Sequence, residues 1–231
     1  MKKSLAICGA LCLLATSAFA TLKENEVKRF GEAASVLNEL RATPDGGIPE
    51  DLWKKAECVL VIPSMKKAAF LIGGETGSGV MSCRRASGWS APVFMHLAKG
   101  SVGLQIGAQE VDLVLLVMNQ GGVDKLLRNK VSLGADASLA AGPVGRAANA
   151  ATDAQLKAEM LAYSRAQGLF AGIDLSGGVL EPDTDANARA YGSGVTARAV
   201  VDGGQKITTP TAARTFLAAL GRNVTGTSGR K

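Results

Sequence analysis

The chain has 231 residues, 47% of them hydrophobic and 20% charged. This is the balance of a globular protein long enough to bury a core, and it excludes a disordered chain of low hydrophobicity. Aromatic residues make up only 4%, which leaves few rings to stack on bases, so nucleic acid is not an expected partner. The formal net charge of +6 favours anionic partners without naming one.

Residues 1–20 read as an export signal. Met1-Lys2-Lys3-Ser4 is a short basic start, Leu5 to Ala15 is apolar, and Ala18-Phe19-Ala20 has the small-x-small pattern of a cleavage site. The apolar stretch is shorter than the ~20 residues of a membrane span. On this reading residues 21–231 form one domain, periplasmic or secreted. Loss of Lys2 and Lys3 leaves 24 basic against 20 acidic residues, a net charge of +4. Two of the 4 cysteines, Cys58 and Cys83, stay with the domain. In an oxidising compartment they can pair; they can equally serve as small buried hydrophobes, and the sequence leaves both open.

In chain order, Val27, Phe30, Ala34, Leu37 and Leu40 recur at helical spacing and predict a helix over Thr21–Arg41. The segment TPDGGIPED breaks it, and Leu52–Glu57 adds a helical turn. CVLVIP and AAFLIG predict two strands separated by Ser64–Lys67. GGETGSG predicts a turn, and VMSCRR and GWSAPVFM two further strands. Within Gly100–Asn119 the glycines and the polar residues Gln105, Gln109, Glu110 and Asp112 exclude a lipid span. The segment predicts a hairpin, Val102–Ala108 and Leu113–Met118, turning at Gln109–Asp112. A short helix follows over Gly121–Asn129, then strand-like alternation in VSLGADASLAAGPVG and a helix over Asp153–Met160. Gly168–Leu175 and Val179–Glu181 predict a strand pair. Thr209 and Pro210 open a last helix that stops at Gly221. These elements predict an α+β domain, a largely antiparallel sheet flanked by helices.

Motifs of catalysis are thin. The single histidine, His96, lies in the apolar run Phe94–Leu97, and no G-x-S-x-G accompanies it; it reads as structural, and the protein as a non-enzyme. Two cysteines and one histidine lack metal-ligand spacing. Gly73–Val80 lacks the Lys-Ser/Thr of a phosphate loop. Asp183–Asn187 departs from a calcium loop at its glycine and at its twelfth position, and reads as a turn and helix cap. What remains are four basic pairs: Lys28-Arg29, Lys54-Lys55, Lys66-Lys67 and Arg84-Arg85. Three of them flank predicted strands and, if the fold brings them together, make a cationic patch for phosphate.

The ordered set GSGVMSCR, GWSAPVF, GSVGLQIGAQEVDLVLLVMN, VSLGADASLAAGPVGR and YSRAQGLFAGIDLSGGVL resembles the SYLF domain family, over about Ser35 to Leu220. Its eukaryotic members include yeast actin regulators. The resemblance implies a domain that binds membrane lipids, notably phosphoinositides, with actin binding in some fungal members, and implies no catalytic residue and no cofactor. For an exported member it implies an anionic phospholipid at a membrane surface, with peripheral association; the alternative is an interaction module for an envelope or host protein. The residues expected to touch lipid are Lys54, Lys55, Lys66, Lys67, Arg84 and Arg85, since lysine is a mobile point charge for phosphate and arginine a two-donor grip. The family's amphipathic N-terminal segment corresponds to Leu22–Leu40, whose apolar side either embeds in lipid or packs on the domain.

Overall fold

The first helix, α1 (Glu24–Ala42), is set by a stripe of Phe30, Ala33, Leu37 and Leu40, all buried. A computed structural model describes residues 21–42, 47–70, 72–102, 107–128, 130–145, 157–166, 169–203 and 207–225; the leader-like residues 1–20 lie outside them. α2 (Glu50–Lys55) buries Leu52 and Trp53 and carries acids in its first turn and lysines in its last, matching the helix dipole at both ends. Among the described residues no helix is long and apolar enough to cross a membrane.

The centre of the fold is four long strands: β1 (Cys58–Phe70), β2 (Ile72–Arg85), β4 (Val93–Val102) and β5 (Gly107–Val117), with the short β3 (Gly88–Trp89) against the end of β2. Then follow α3 (Gln120–Leu126), β6 (Val131–Ser132), β7 (Leu139–Ala141), β8 (Met160–Ala166), β9 (Leu169–Gly172) and β10 (Val179–Pro182). The chain continues through α4 (Thr184–Tyr191), α5 (Ala197–Asp202), a 3-10 turn at Thr211–Ala213 and α6 (Arg214–Thr225). The sheet order is β6-β10-β4-β2-β1-β5-β8-β7, antiparallel except where β7 runs parallel to β8. β9 continues the edge beyond β7, pairing the second half of β8. α3 touches β10, four strands away from β5, so the sheet curls. This is the α+β architecture read from the sequence.

Both faces of the central strands are buried. Val59, Val61, Val80, Phe94, Val114 and Leu116 face the α1–α6 layer. Leu60, Ile62, Met81, Met95, Leu113 and Leu115 face the inside of the curl, which α3 and α5 help to close. This is why the strands read as continuous apolar runs instead of alternating ones.

Several sequence expectations are corrected. CVLVIP and the start of AAFLIG, Ala68–Phe70, belong to one strand, β1, interrupted by a bulge between Ile62 and Met65, where Ser64 takes φ 49°, while Ile72 and Gly73 already open β2. GGETGSG is not a turn but the first half of β2. Its glycines are needed because β1 passes close at the bulge: a Cβ on Gly79 would lie 2.3 Å from the Val61 carbonyl oxygen, and one on Gly77 2.5 Å from the Ile62 side chain. Gln109–Asp112 is also strand, within β5; Gln109 pairs with Lys67 and Glu110 with Lys66 across to β1. The expected hairpin is not made: β5 runs unbroken from Gly107 to Val117 and pairs with β1 and β8, and β4, which ends at Val102, pairs with β2 and β10. Residues 103–106 of the expected Val102–Ala108 strand lie outside the described residues.

Met160 begins β8 instead of ending a helix, and residues 153–156 of that expected helix lie outside the described residues. β9 and β10 exist, but do not pair: β9 pairs with β8, and β10 with β4 and β6. The last helix is preceded by the 3-10 turn, begins at Arg214 and runs through Gly221. A Cβ at Gly221 would meet nothing within 4 Å, and burial of Phe216, Ala219 and Leu220 holds the helix past it.

Candidate ligand-binding site

Cys58 and Cys83 face each other across β1 and β2 and form a disulfide, resolving the alternative the sequence left open. Beside it, at the end of the sheet, lies a cleft of about 320 Å³ whose charged lining is Glu57, Arg84, Arg85, Arg198 and Asp202.

Each arginine is held by the local fold. Arg84 reaches back to α2: its Nε donates to the Ala56 carbonyl at 3.2 Å and an Nη to the Trp53 carbonyl at 3.0 Å. Its guanidinium carbon lies 4.7 Å from the centre of the Trp89 ring. These carbonyls are the otherwise unmatched acceptors at a helix C-terminus. Arg85 does the same for α5, donating to the Asp202 carbonyl at 2.7 Å. Thr196 caps the start of α5, and Gly203 ends it in the left-handed region at φ 60°. Arg198 pairs with Asp124 at 2.6 Å. Gln120 donates to Glu57 at 3.2 Å.

The other expected lipid contacts lie on two different parts of the surface. Lys54 and Lys55 are on α2, beside Arg84; Lys54 pairs with Glu50 at 2.9 Å and Lys55 is exposed. Lys66 and Lys67 lie eight residues along β1 from Cys58, roughly 25 Å away at the rise of a strand. Lys67 pairs with Glu75 at 3.2 Å, while Lys66 is exposed. Glu75 also stands opposite Lys99, which donates to the Asp174 carbonyl. The arginines and the α2 lysines therefore share one end of the sheet, and Lys66 and Lys67 sit toward the other.

The fourth basic pair divides. Lys28 pairs with Glu32 on the exposed side of α1. Arg29 is buried, stacked 5.5 Å from the Phe94 ring centre, with one Nη lacking a hydrogen-bond partner. Burial holds its pKa below the ordinary value. Nearby, Glu26 accepts from the Lys23 amide and from Arg189 of α4. Phe30, Leu37 and Leu40 are buried, so the apolar side of α1 packs on the domain and leaves Val27 exposed.

His96 sits between two hydroxyls, with Nε2 3.4 Å from Thr76 and Nδ1 3.3 Å from Ser78. Glu181 lies opposite it on β10, but no carboxylate bonds either ring nitrogen among the described residues, so the orienting arm of a serine–histidine–acid triad is not made. Asp183 caps α4, accepting from the Ala186 amide, the role its sequence suggested over calcium. Arg198, Glu57 and Gln120 were missed as site residues. The α5 helix around Arg198 did carry signals, Thr196 before it and Gly203 after it; Glu57 and Gln120 are brought together only by pairing of β1 with β5.

The arrangement is that of a binding module, a curled sheet with charged residues at its ends. The chain belongs to the Ysc84 family, the SYLF domain proteins: the model described as "Las17-binding protein actin regulator" matches residues 98–223. It is 36% identical over 163 residues to LAS seventeen-binding protein 3 of Saccharomyces cerevisiae, covering 69% of this chain and 35% of that protein. It is 33% identical over 168 residues to SH3 domain-containing YSC84-like protein 1 of Xenopus laevis, covering 70% of this chain and 50% of that one. A third relative, the SH3 domain-containing protein PJ696.02 of Schizosaccharomyces pombe, is 37% identical over 186 residues, or 78% of this chain and 43% of its own. The match thus takes up half or less of each relative's length.

Proposed function

We propose that this chain is a non-enzymatic module that binds anionic phospholipid at a membrane surface, as an exported protein held there peripherally. The observation that carries the reading is the state of Lys55 and Lys66. Both are exposed, and neither has a carboxylate within ion-pair distance among the described residues. A lysine in that state adds about 1 kcal/mol near an anionic leaflet. The basic start and cleavage-site pattern of residues 1–20 support export, and a disulfide suits an oxidising compartment. Co-sedimentation with vesicles of neutral and of mixed anionic lipid tests the reading. Binding that ignores anionic content at low salt sinks it.

A second reading is favoured by the relatives' names. The family is described as an actin regulator, and a yeast relative as a LAS seventeen-binding protein. On that reading the domain docks a protein at the envelope or in a host. Co-sedimentation with actin filaments, and pull-down from envelope extract, separate it from the first. Pelleting with filaments but not with vesicles favours the protein partner.

A further inference from the structure

The cleft beside the Cys58–Cys83 disulfide has an unusual charge arrangement. Arg84 and Arg85 line it, and so do Glu57 and Asp202. Opposite charges brought this close ordinarily pair. Here, among the described residues, neither arginine forms an ion pair: each spends donors on the main-chain carbonyls that end α2 and α5. Glu57 accepts instead from the neutral Gln120. The guanidinium groups are thus held in position by helix ends and by the Trp89 ring without being neutralised. Arg198, at the rim, keeps to Asp124. Fixed, separate positive and negative groups in one small cleft complement a ligand that is itself divided into an anion and a cation.

We infer that this cleft binds a small phosphate ester bearing an ammonium group, of the phosphoethanolamine kind. The phosphate is taken by Arg85, with Arg84 behind it and Arg198 at the rim, because guanidinium N–H pairs match phosphate oxygens. The ammonium is taken by Glu57, freed from Gln120, or by Asp202. With Arg198 paired to Asp124, the lining holds two guanidinium groups and two carboxylates outside any ion pair among the described residues, which suits a ligand that carries both a phosphate and an amine. About 320 Å³ admits such a group with its bridging waters. The site is separate from Lys66 and does not rest on the surface reading above.

The source of the ligand, free metabolite or lipid headgroup, is distinguished by experiment. Calorimetric titration of the purified chain with phosphoethanolamine is compared with inorganic phosphate and with ethanolamine alone. Phosphoethanolamine is expected to bind at least about tenfold more tightly than either, since each charged contact counts for about that factor. Arg85→Gln weakens both phosphoethanolamine and phosphate, whereas Glu57→Gln weakens phosphoethanolamine and spares phosphate. Arg198→Gln, on an exposed and surface-paired residue, tests the phosphate end where Arg85→Gln disturbs the fold, as read by circular dichroism. Reversal of Lys66, toward the other end of β1, leaves the titration unchanged, which separates this site from vesicle binding there. Competition by phosphatidylethanolamine vesicles identifies a headgroup site, and absence of competition a free-ester site; both sustain the cleft's chemistry. Equal affinity for phosphate and phosphoethanolamine, no binding of either, or an affinity that none of these variants in the cleft alters, overturns the inference.

Discussion

Glu26 of α1 and Arg189 of α4, 163 residues apart, are joined side chain to side chain with Nε 2.8 Å from the carboxylate. Glu26 is buried. Burial acts against its charge, but the bonds from Arg189 and from the Lys23 amide outweigh it and hold the carboxyl below its ordinary value of 4.5. A carboxyl with a lowered folded pKa adds stability above its unfolded pKa and loses it as pH falls through the folded one. Glu26→Gln is therefore expected to lower stability at neutral pH, by less than a fully buried pair would, because Arg189 lies on the solvent side of the contact. That cost shrinks as pH falls below 4.5 and then through the lowered folded pKa, where the native carboxyl also takes up its proton. Urea unfolding of both proteins at neutral pH and at pH near 3 reads the difference. A cost that stays constant across that range refutes the assignment.

Gly79 and Gly100 are both strand glycines and are expected to behave oppositely. A Cβ on Gly79 would meet the Val61 carbonyl oxygen at 2.3 Å and Ile62 Cγ1 at 2.6 Å, whereas one on Gly100 would meet nothing within 4 Å. Gly79→Ala forces β1 and β2 apart at the bulge and is expected to cost about 2 kcal/mol. Gly100→Ala is expected to be neutral within about 0.5 kcal/mol. Equal thermal midpoints for the two variants exclude the close approach at the bulge.

That pair of glycines also shows where the sequence stops being legible. The apolar runs in β1 and β5 announce buried strands, and the stripe from Phe30 to Leu40 announces α1, because burial writes a period into the sequence. Gly77 and Gly79 look like turn residues, since glycine's local preference and its use at a close approach have the same letter. Glu110 looks like a turn for a related reason: its polarity reflects an exposed position within β5, opposite Lys66 on the neighbouring strand. The pairing of β10 with β4, and of β9 with β8, is decided by contacts distant in sequence. For the site, the basic pairs were visible, but their partners were not. That Arg84 closes α2 and Arg85 closes α5 follows from topology, and so does the distance separating both from Lys66.

The Cys58–Cys83 disulfide links neighbouring strands over a sequence separation of 25 residues. Closing a loop of that length in the unfolded chain is worth about 3 kcal/mol on the chain-entropy account. The double substitution Cys58→Ala with Cys83→Ala is expected to lower the thermal midpoint by about 6–12 °C. It should leave the fold in place, because the β1–β2 and β1–β5 ladders continue on both sides. Scanning calorimetry of the variant, and of the native chain with and without reductant, measures this. A midpoint indifferent to both removes the bond from the protein's stability.

The last prediction concerns which end of the sheet meets the membrane. Lys55 and Lys66 are the exposed lysines of the expected set without an ion pair among the described residues; Lys55 sits on α2 at the Cys58 end of β1, and Lys66 lies roughly 25 Å along the strand from Cys58. That separation exceeds the Debye length of about 8 Å at physiological salt, so the two sense a surface independently. Reversal of a lysine at an anionic surface removes about 1 kcal/mol of attraction and adds repulsion of similar size, so affinity should fall about tenfold or more. Thermal midpoints should hardly move, because neither side chain is buried or ion-paired. Lys55→Glu and Lys66→Glu are therefore compared singly in vesicle co-sedimentation at low and high salt. A loss confined to Lys55→Glu turns the α2 end toward lipid, beside Arg84 and the cleft; a loss confined to Lys66→Glu turns the opposite end. Equal losses mean that both ends of the sheet contribute to the attraction. If both single variants and their combination bind anionic vesicles as the native chain does, lysine attraction is not what holds this domain to lipid. The exposed apolar Val27 and Leu169 then become the side chains to change.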